Sequence, residues 1–224
     1  MDEEEPKRAV PYITYVLLTA LFVIQLYLNF IPSAIALELF ETYSLIPARL
    51  FDGVMLDSVL TYIFLHGSWA HLAVNCVALY GAGAPVENEI GHIRFAIGFL
   101  VSGVFAGVAH SFLNPSSSVP LIGSSGAIFG IIAILFLLMP FKLTYALVIP
   151  LPSVVVGLML SLVELSALGL PVDLAVAHEA HMSGFIFGCI YAFVLDMKRA
   201  VKGLFIAAFV LALMYYVGKF YSLI

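Results

Sequence analysis

Residues 121–140 read LIGSSGAIFGIIAILFLLMP. Two glycines and two serines are followed by an apolar run that stops at Pro140. The run from Gly126 to Met139 falls short of the roughly 20 residues a helix needs to cross a bilayer. It reads as a helix that starts below the membrane surface, with Ser125 at its head. The rest of the chain decides whether there is a membrane for it to start in.

The chain has 224 residues, 63% of them hydrophobic and only 10% charged, against a quarter or so charged in an average soluble domain. Its apolar residues come in long runs bounded by charge, Pro or Gly, which makes it a polytopic membrane protein. A net charge of -5 argues against nucleic acid as a partner, and the acidic cluster from Asp2 to Glu5 reads as a solvated tail. Cys76 and Cys189 lie in apolar runs and read as reduced packing residues.

The first run, Val10 to Ile31, is longer than the core of a signal peptide and lacks a small-residue cleavage site, so it is expected to remain as the first span. The stretch from Pro32 to Leu65 carries closely spaced charges and reads as a loop with interfacial helices. Further spans are expected at His71 to Val86, Ile93 to Leu113, Gly126 to Met139, Leu143 to Val163, Leu174 to Leu195 and Leu204 to Val217. This is an all-α bundle of seven helices. It divides into a tail (residues 1–9), a six-helix membrane core (10–196), and a linker with a seventh transmembrane helix (197–224).

Basic residues concentrate in cytoplasmic loops. With the N-terminus inside, Lys7, Arg8, Arg94, Lys142, Lys198, Arg199 and Lys202 are all cytoplasmic, and only Arg49 and Lys219 face out. The loops Pro32 to Ala70, Asn114 to Ser124 and Leu165 to Asp173 then lie on the outer face.

Polar side chains inside spans are costly and mark candidate functional sites. Ser125 stands fifteen residues above Pro140, and His181 fifteen above Asp196. Each is therefore about 22 Å from the cytoplasmic end of its helix, or about 8 Å below the outer edge of the hydrocarbon core. Counted from Glu87, Asn75 and His71 fall in the same layer, about 18 and 24 Å up. Gly126 and Gly130 on the serine helix, and Gly184 and Gly188 on the histidine helix, form small-x-x-x-small pairs that let backbones pack closely in lipid.

A serine hydroxyl needs a base within hydrogen-bond reach, and a neutral histidine is the usual one. Ser125 is the candidate nucleophile and His181 its base. The helix start at Ser125 offers backbone N–H groups to an oxyanion, to which Asn75 and His71 can add side-chain donors. No carboxylate is read at this depth: Glu179 points away from His181 and lies nearer the surface. The expectation is a Ser-His dyad, not a triad.

With these residues the sequence resembles the rhomboid family of intramembrane serine proteases. The resemblance rests on G-S-S-G at Gly123 to Gly126, A-H-x-x-G-x-x-x-G from Ala180 to Gly188, and H-x-x-x-N at His71 and Asn75, in family order. Flanking matches are His66, Gly83 with Glu87, and Phe129, which by resemblance stacks on the catalytic histidine. The resemblance covers about Pro11 to Asp196, and the last helix resembles the six-plus-one variant. The chain departs from the family at Asp57 and Ser58, where a Trp-Arg pair would fall, and at Glu89, where many members are basic. The resemblance implies transmembrane protein substrates, cut near the outer end of a span after a small residue, in the cell membrane and without cofactor or metal. It points to the fifth helix and the loop after it for substrate entry.

Three other readings remain open on sequence. A zinc protease needs H-E-x-x-H on one helix face, and His178 to His181 reads H-E-A-H, one residue short. A transporter would also carry intramembrane His and Asn, but no inverted repeat or pair of interrupted helices is legible. An inactive relative would bind transmembrane segments without cutting them. His178 reads as a loop or gate residue, His66 and His110 as hydrogen-bonding within outer loops, and His92 as solvated.

Overall fold

The computed structural model describes residues 10–54, 56–147, 149–168 and 176–221. The expected acidic tail and residues 169–175, where the last outer loop and the start of the sixth span were placed, lie outside the described residues. The first helix, α1 (Tyr12–Phe30), is followed by the short helices α2 (Ser33–Tyr43), α3 (Pro47–Phe51) and α4 (Ser58–Thr61). Then come α5 (Trp69–Ile90), α6 (His92–Leu113), α7 (Ser125–Leu138), a hairpin of β1 (Leu143–Leu147) and β2 (Ile149–Pro152), α8 (Ser153–Ala167), α9 (His178–Leu195) and α10 (Met197–Phe220).

Among the described residues α1, α6 and α10 are long and apolar enough to cross a bilayer. Residues Ser58–Phe64 and α5 form a further apolar pair bent by 94°. The protein is an all-α, polytopic membrane fold. No residue of α2 is buried, consistent with a loop helix lying on the surface of the bundle.

The shortest helix of the bundle is also its centre. α7 has 14 residues, about 21 Å of helix, and every side chain from Gly126 to Leu138 is buried. It packs against α5, α6, α8, α9 and α10. Its neighbours, among them the span-length α6 and α10, shield it from lipid, so its length need not match the bilayer and its polar head can stop below the surface. Glycine permits the closest approach: a Cβ on Gly184 would collide with the carbonyl oxygen of Gly126, and one on Gly188 with that of Gly130. The backbones of α7 and α9 therefore touch, as small residues allow in membrane bundles.

A buried carboxylate docks α1. Glu87, 1% exposed, accepts from the backbone N–H groups of Ile13 and Thr14 and from the Thr14 hydroxyl, each at 2.7 Å. These N–H groups belong to the first turn of α1 and have no partner within it, and a negative charge at that end is favourable. His92 Nδ1 also lies 2.5 Å from Glu87, so His92 is a partner of the cap and not merely solvated, as the sequence suggested.

Two boundaries differ from the sequence reading. The fifth helix, expected from Leu143 to Val163, runs instead from Ser153 to Ala167. Residues Leu143–Leu147 and Ile149–Pro152 pair as an antiparallel hairpin with a register shift after Thr144. Pro150 and Pro152 cannot donate a helical hydrogen bond, and Thr144 Oγ1 donates to Gly81 O of α5 at 2.7 Å. The seventh helix begins at Met197, not Leu204. Asp196 caps it through Arg199 N at 3.0 Å, and the charges taken for a linker form its first turns. Arg199 there pairs with Glu89 of α5 at 2.6 Å and donates to Leu138 O at the end of α7 at 2.9 Å.

Candidate active site

The head of α7 is fixed from the loop between α1 and α5. Leu45 and Leu121 exchange backbone hydrogen bonds of 3.1 and 2.8 Å, and Gly123 N donates to Tyr62 O at 3.0 Å. The Tyr62 hydroxyl is itself anchored on Gly103 O of α6 at 2.6 Å. Gly123 has φ +113°, and a Cβ there would meet the His71 ring at 2.8 Å. Only glycine makes this turn while letting an imidazole lie against the backbone. Ser124 is buried and its Oγ lies 3.3 Å from His66 Nε2.

Ser125 is the first residue of α7, so its N–H has no carbonyl a turn earlier within the helix. His181 sits in the first turn of α9, and its Nε2 lies 2.7 Å from Ser125 Oγ. The ring of Phe129, one turn below the serine, stacks on the His181 ring with centroids 4.5 Å apart and planes 9° from parallel. Phe129 thus fixes the plane of the imidazole that faces the hydroxyl.

The expectation that no carboxylate reaches this level is corrected by the structure. Glu164 Oε1 lies 3.0 Å from His181 Nδ1, and its Oε2 lies 2.6 Å from His178 Nδ1. The cause is the displaced fifth helix: ending that span at Val163 left Glu164 just outside it, whereas it occupies the last turn of α8 and is only 6% exposed. The sequence did carry a signal, since an acidic residue in the apolar run LSLVELSAL is a candidate functional group by default. Glu179 is elsewhere, near His110 Nδ1 at 3.0 Å and accepting from Asn114 Nδ2 at 2.9 Å.

A carboxylate on Nδ1 selects the imidazole tautomer with its proton there, leaving the Nε2 lone pair toward Ser125. Hydroxyl, imidazole and carboxylate thus stand in line, with polarity suited to moving a proton from Oγ to Nε2. Glu164, His178 and His181 also form a group of potential metal ligands, their atoms within 4.8 Å of one another.

His71 and Asn75 lie on the face of α5 turned toward Gly123. The Asn75 amide donates one hydrogen to His71 O at 3.1 Å, and its Nδ2 lies 4.0 Å from the position a Gly123 Cβ would take. The His66 and His71 rings meet edge to face at 4.9 Å. A cavity of about 810 Å³ is lined by His71, Asn75, Gly123, Ser125, His178 and His181 among others. The structure therefore brings all four polar residues singled out in the sequence to one cavity.

The family model of the rhomboid domain matches residues 55–198. Among curated relatives, the chain is 42% identical over 72 residues to rhomboid protease GluP of Bacillus subtilis (strain 168), covering 32% of this chain and 14% of that protein. It is 34% identical over 135 residues to RHOMBOID-like protein 4 of Arabidopsis thaliana, covering 60% of this chain and 33% of the relative. Over 132 residues it is 30% identical to rhomboid-like protease 5 of Toxoplasma gondii, covering 58% and 15%. The chain thus spans a third or less of these relatives' own lengths. With the domain match extending over more than half of its residues, the chain belongs to the rhomboid family.

Proposed function

We propose that this protein is an intramembrane serine endopeptidase that cuts transmembrane segments of other membrane proteins. The observation that carries the reading is the 2.7 Å contact between Ser125 Oγ and His181 Nε2, with Glu164 on the far side of the same ring.

Ser125 Oγ attacks the carbonyl carbon of the substrate peptide while its proton passes to His181 Nε2. The imidazolium that forms is held by Glu164, which acts through the ring and does not itself take the proton. Negative charge then develops on the former carbonyl oxygen. The Ser125 N–H, the second amide hydrogen of Asn75 and the His71 ring are the donors supplied to it. His181 returns its proton to the leaving amine, the C–N bond breaks, and an acyl-enzyme remains on Ser125. Water entering the cavity loses a proton to His181 and attacks the acyl carbon; the bond to Ser125 Oγ breaks, His181 returns the proton to Oγ, and the second product leaves with a new carboxyl group.

The basic-residue distribution favours a cytoplasmic N-terminus, which opens the cavity to the outer face. With the C-terminal end of α7 at the inner boundary of a ~30 Å core, its head lies about 9 Å below the outer boundary. The cavity offers water a route to that depth. Transmembrane substrates fit a site walled by helices, and the family relatives named as proteases favour an active enzyme over a binding-only relative.

The test is cleavage of a single-pass substrate by the purified protein in lipid. Wild type is expected to cut it, and Ser125→Ala and His181→Ala each to lose at least about 10³-fold in rate. Cleavage by Ser125→Ala at the wild-type rate would rule the mechanism out.

A further inference from the structure

Glu164 is placed between two histidines, and the proposed chemistry uses only one of them. His178 and His181, a helical turn apart on α9, both direct Nδ1 at the same carboxylate, at 2.6 and 3.0 Å. Their side chains are 17% and 14% exposed, and both line the cavity. The three ligand atoms lie within 4.8 Å of one another. Zinc takes imidazole nitrogen and carboxylate oxygen at about 2.0–2.2 Å, which separates tetrahedral ligands by about 3.3 Å. Admitting the ion requires the His178 contact to widen by about 0.7 Å and the His181 contact by about 0.3 Å, and the two histidines face a cavity from which water can supply a fourth ligand.

We infer that Glu164, His178 and His181 form an inhibitory site for zinc or a metal of similar preference. The donor set of two imidazoles and one carboxylate suits Zn²⁺ and disfavours Mg²⁺ and Ca²⁺, which prefer all-oxygen surroundings. Inhibition follows from the tautomer. A metal on His181 Nδ1 displaces the proton from that atom, and the neutral ring then carries its proton on Nε2. That nitrogen donates to Ser125 Oγ instead of accepting from it, so the base is lost while the ring stays in place. The metal also takes the carboxylate that would hold the imidazolium. The metal site stands on geometry alone; only its inhibitory effect rests on the protease reading.

The experiment uses the full chain in lipid, stripped with EDTA, and titrates ZnCl₂ alone with MgCl₂ as control. Zinc is expected to suppress substrate cleavage at least about tenfold, reversibly with EDTA, and magnesium to leave it unchanged. His178→Asn keeps a donor to Glu164 but has no imidazole. It is expected to cleave at close to the wild-type rate and to require about 10- to 100-fold more zinc for inhibition. His178→Gln serves if the Asn variant does not fold. Calorimetry with ZnCl₂ supplies a readout that needs no activity: wild type and Ser125→Ala should bind one zinc per chain, and His178→Asn should bind it about 10- to 100-fold more weakly. Should no cleavage occur even without zinc, the protease reading fails and calorimetry alone decides the metal site. Equal zinc sensitivity of wild type and His178→Asn, or no zinc bound by Ser125→Ala, overturns the inference.

Discussion

Replacing Glu164 with Gln preserves shape and removes one charge, which makes it the sharpest probe of how His181 is oriented. In the wild type each carboxylate oxygen accepts from one imidazole, His181 Nδ1 at 3.0 Å and His178 Nδ1 at 2.6 Å. A glutamine has only one oxygen. Its NH₂ must face the other ring, and the shorter contact to His178 favours placing the oxygen there. The NH₂ then meets His181 Nδ1 and selects the tautomer with the proton on Nε2, which cannot take the proton of Ser125. A hydrogen bond to a charged group contributes about 1.5–3 kcal/mol. If that is lost only as the imidazolium forms, the rate should fall about 10- to 150-fold. The assay is steady-state cleavage of a single-pass substrate in proteoliposomes, with thermal unfolding as the control for folding. The expected result is a lower kcat, an unchanged KM and slower labelling by a fluorophosphonate. A folded Glu164→Gln enzyme with kcat within about twofold of wild type would refute the reasoning, since no charged contact would then be made in the transition state.

Asn75→Ala removes a donor from the proposed oxyanion site and should lower kcat about 10²-fold or more with little change in thermal stability, measured side by side. Phe129→Leu loses the ring stacked on His181 and, at about 0.5–1.5 kcal/mol for such a contact, should slow cleavage about 2- to 12-fold. Gly188→Val forces a branched side chain into the Gly130 carbonyl; it should lower the thermal midpoint by several degrees, equivalent to about 1–3 kcal/mol or more. Glu87→Ala strands two N–H groups and a hydroxyl of α1. At about 1–3 kcal/mol for an unsatisfied buried group, it should expose the N-terminal helix to protease well before the rest of the bundle.

What the sequence disclosed well was depth. Ser125 and His181 lie equally far above Pro140 and Asp196, and helix geometry converts that count directly into height, so their meeting could be anticipated without a structure. Rotation and helix ends were less legible. Glu164 was missed because the apolar stretch from Leu143 onward reads as helix whichever way it folds, and ending the span at Val163 left the carboxylate one residue outside. Pro150 and Pro152 were the physical warning, since neither can donate within a helix. The start of α10 was hidden for the opposite reason. Lys198, Arg199 and Lys202 looked like a linker, yet Asp196 caps their helix and Arg199 finds its partner far away in Glu89, which composition alone does not reveal. The capping role of Glu87 is likewise a contact across more than seventy residues of chain.

The central claim, that Ser125 is a nucleophile activated by His181, is met most directly by labelling the purified protein with a fluorophosphonate and locating the adduct by mass spectrometry. The account predicts one adduct per chain on Ser125, absent in Ser125→Ala and strongly slowed in His181→Ala. Equal labelling of wild type and Ser125→Ala, or an adduct on another residue, would contradict it.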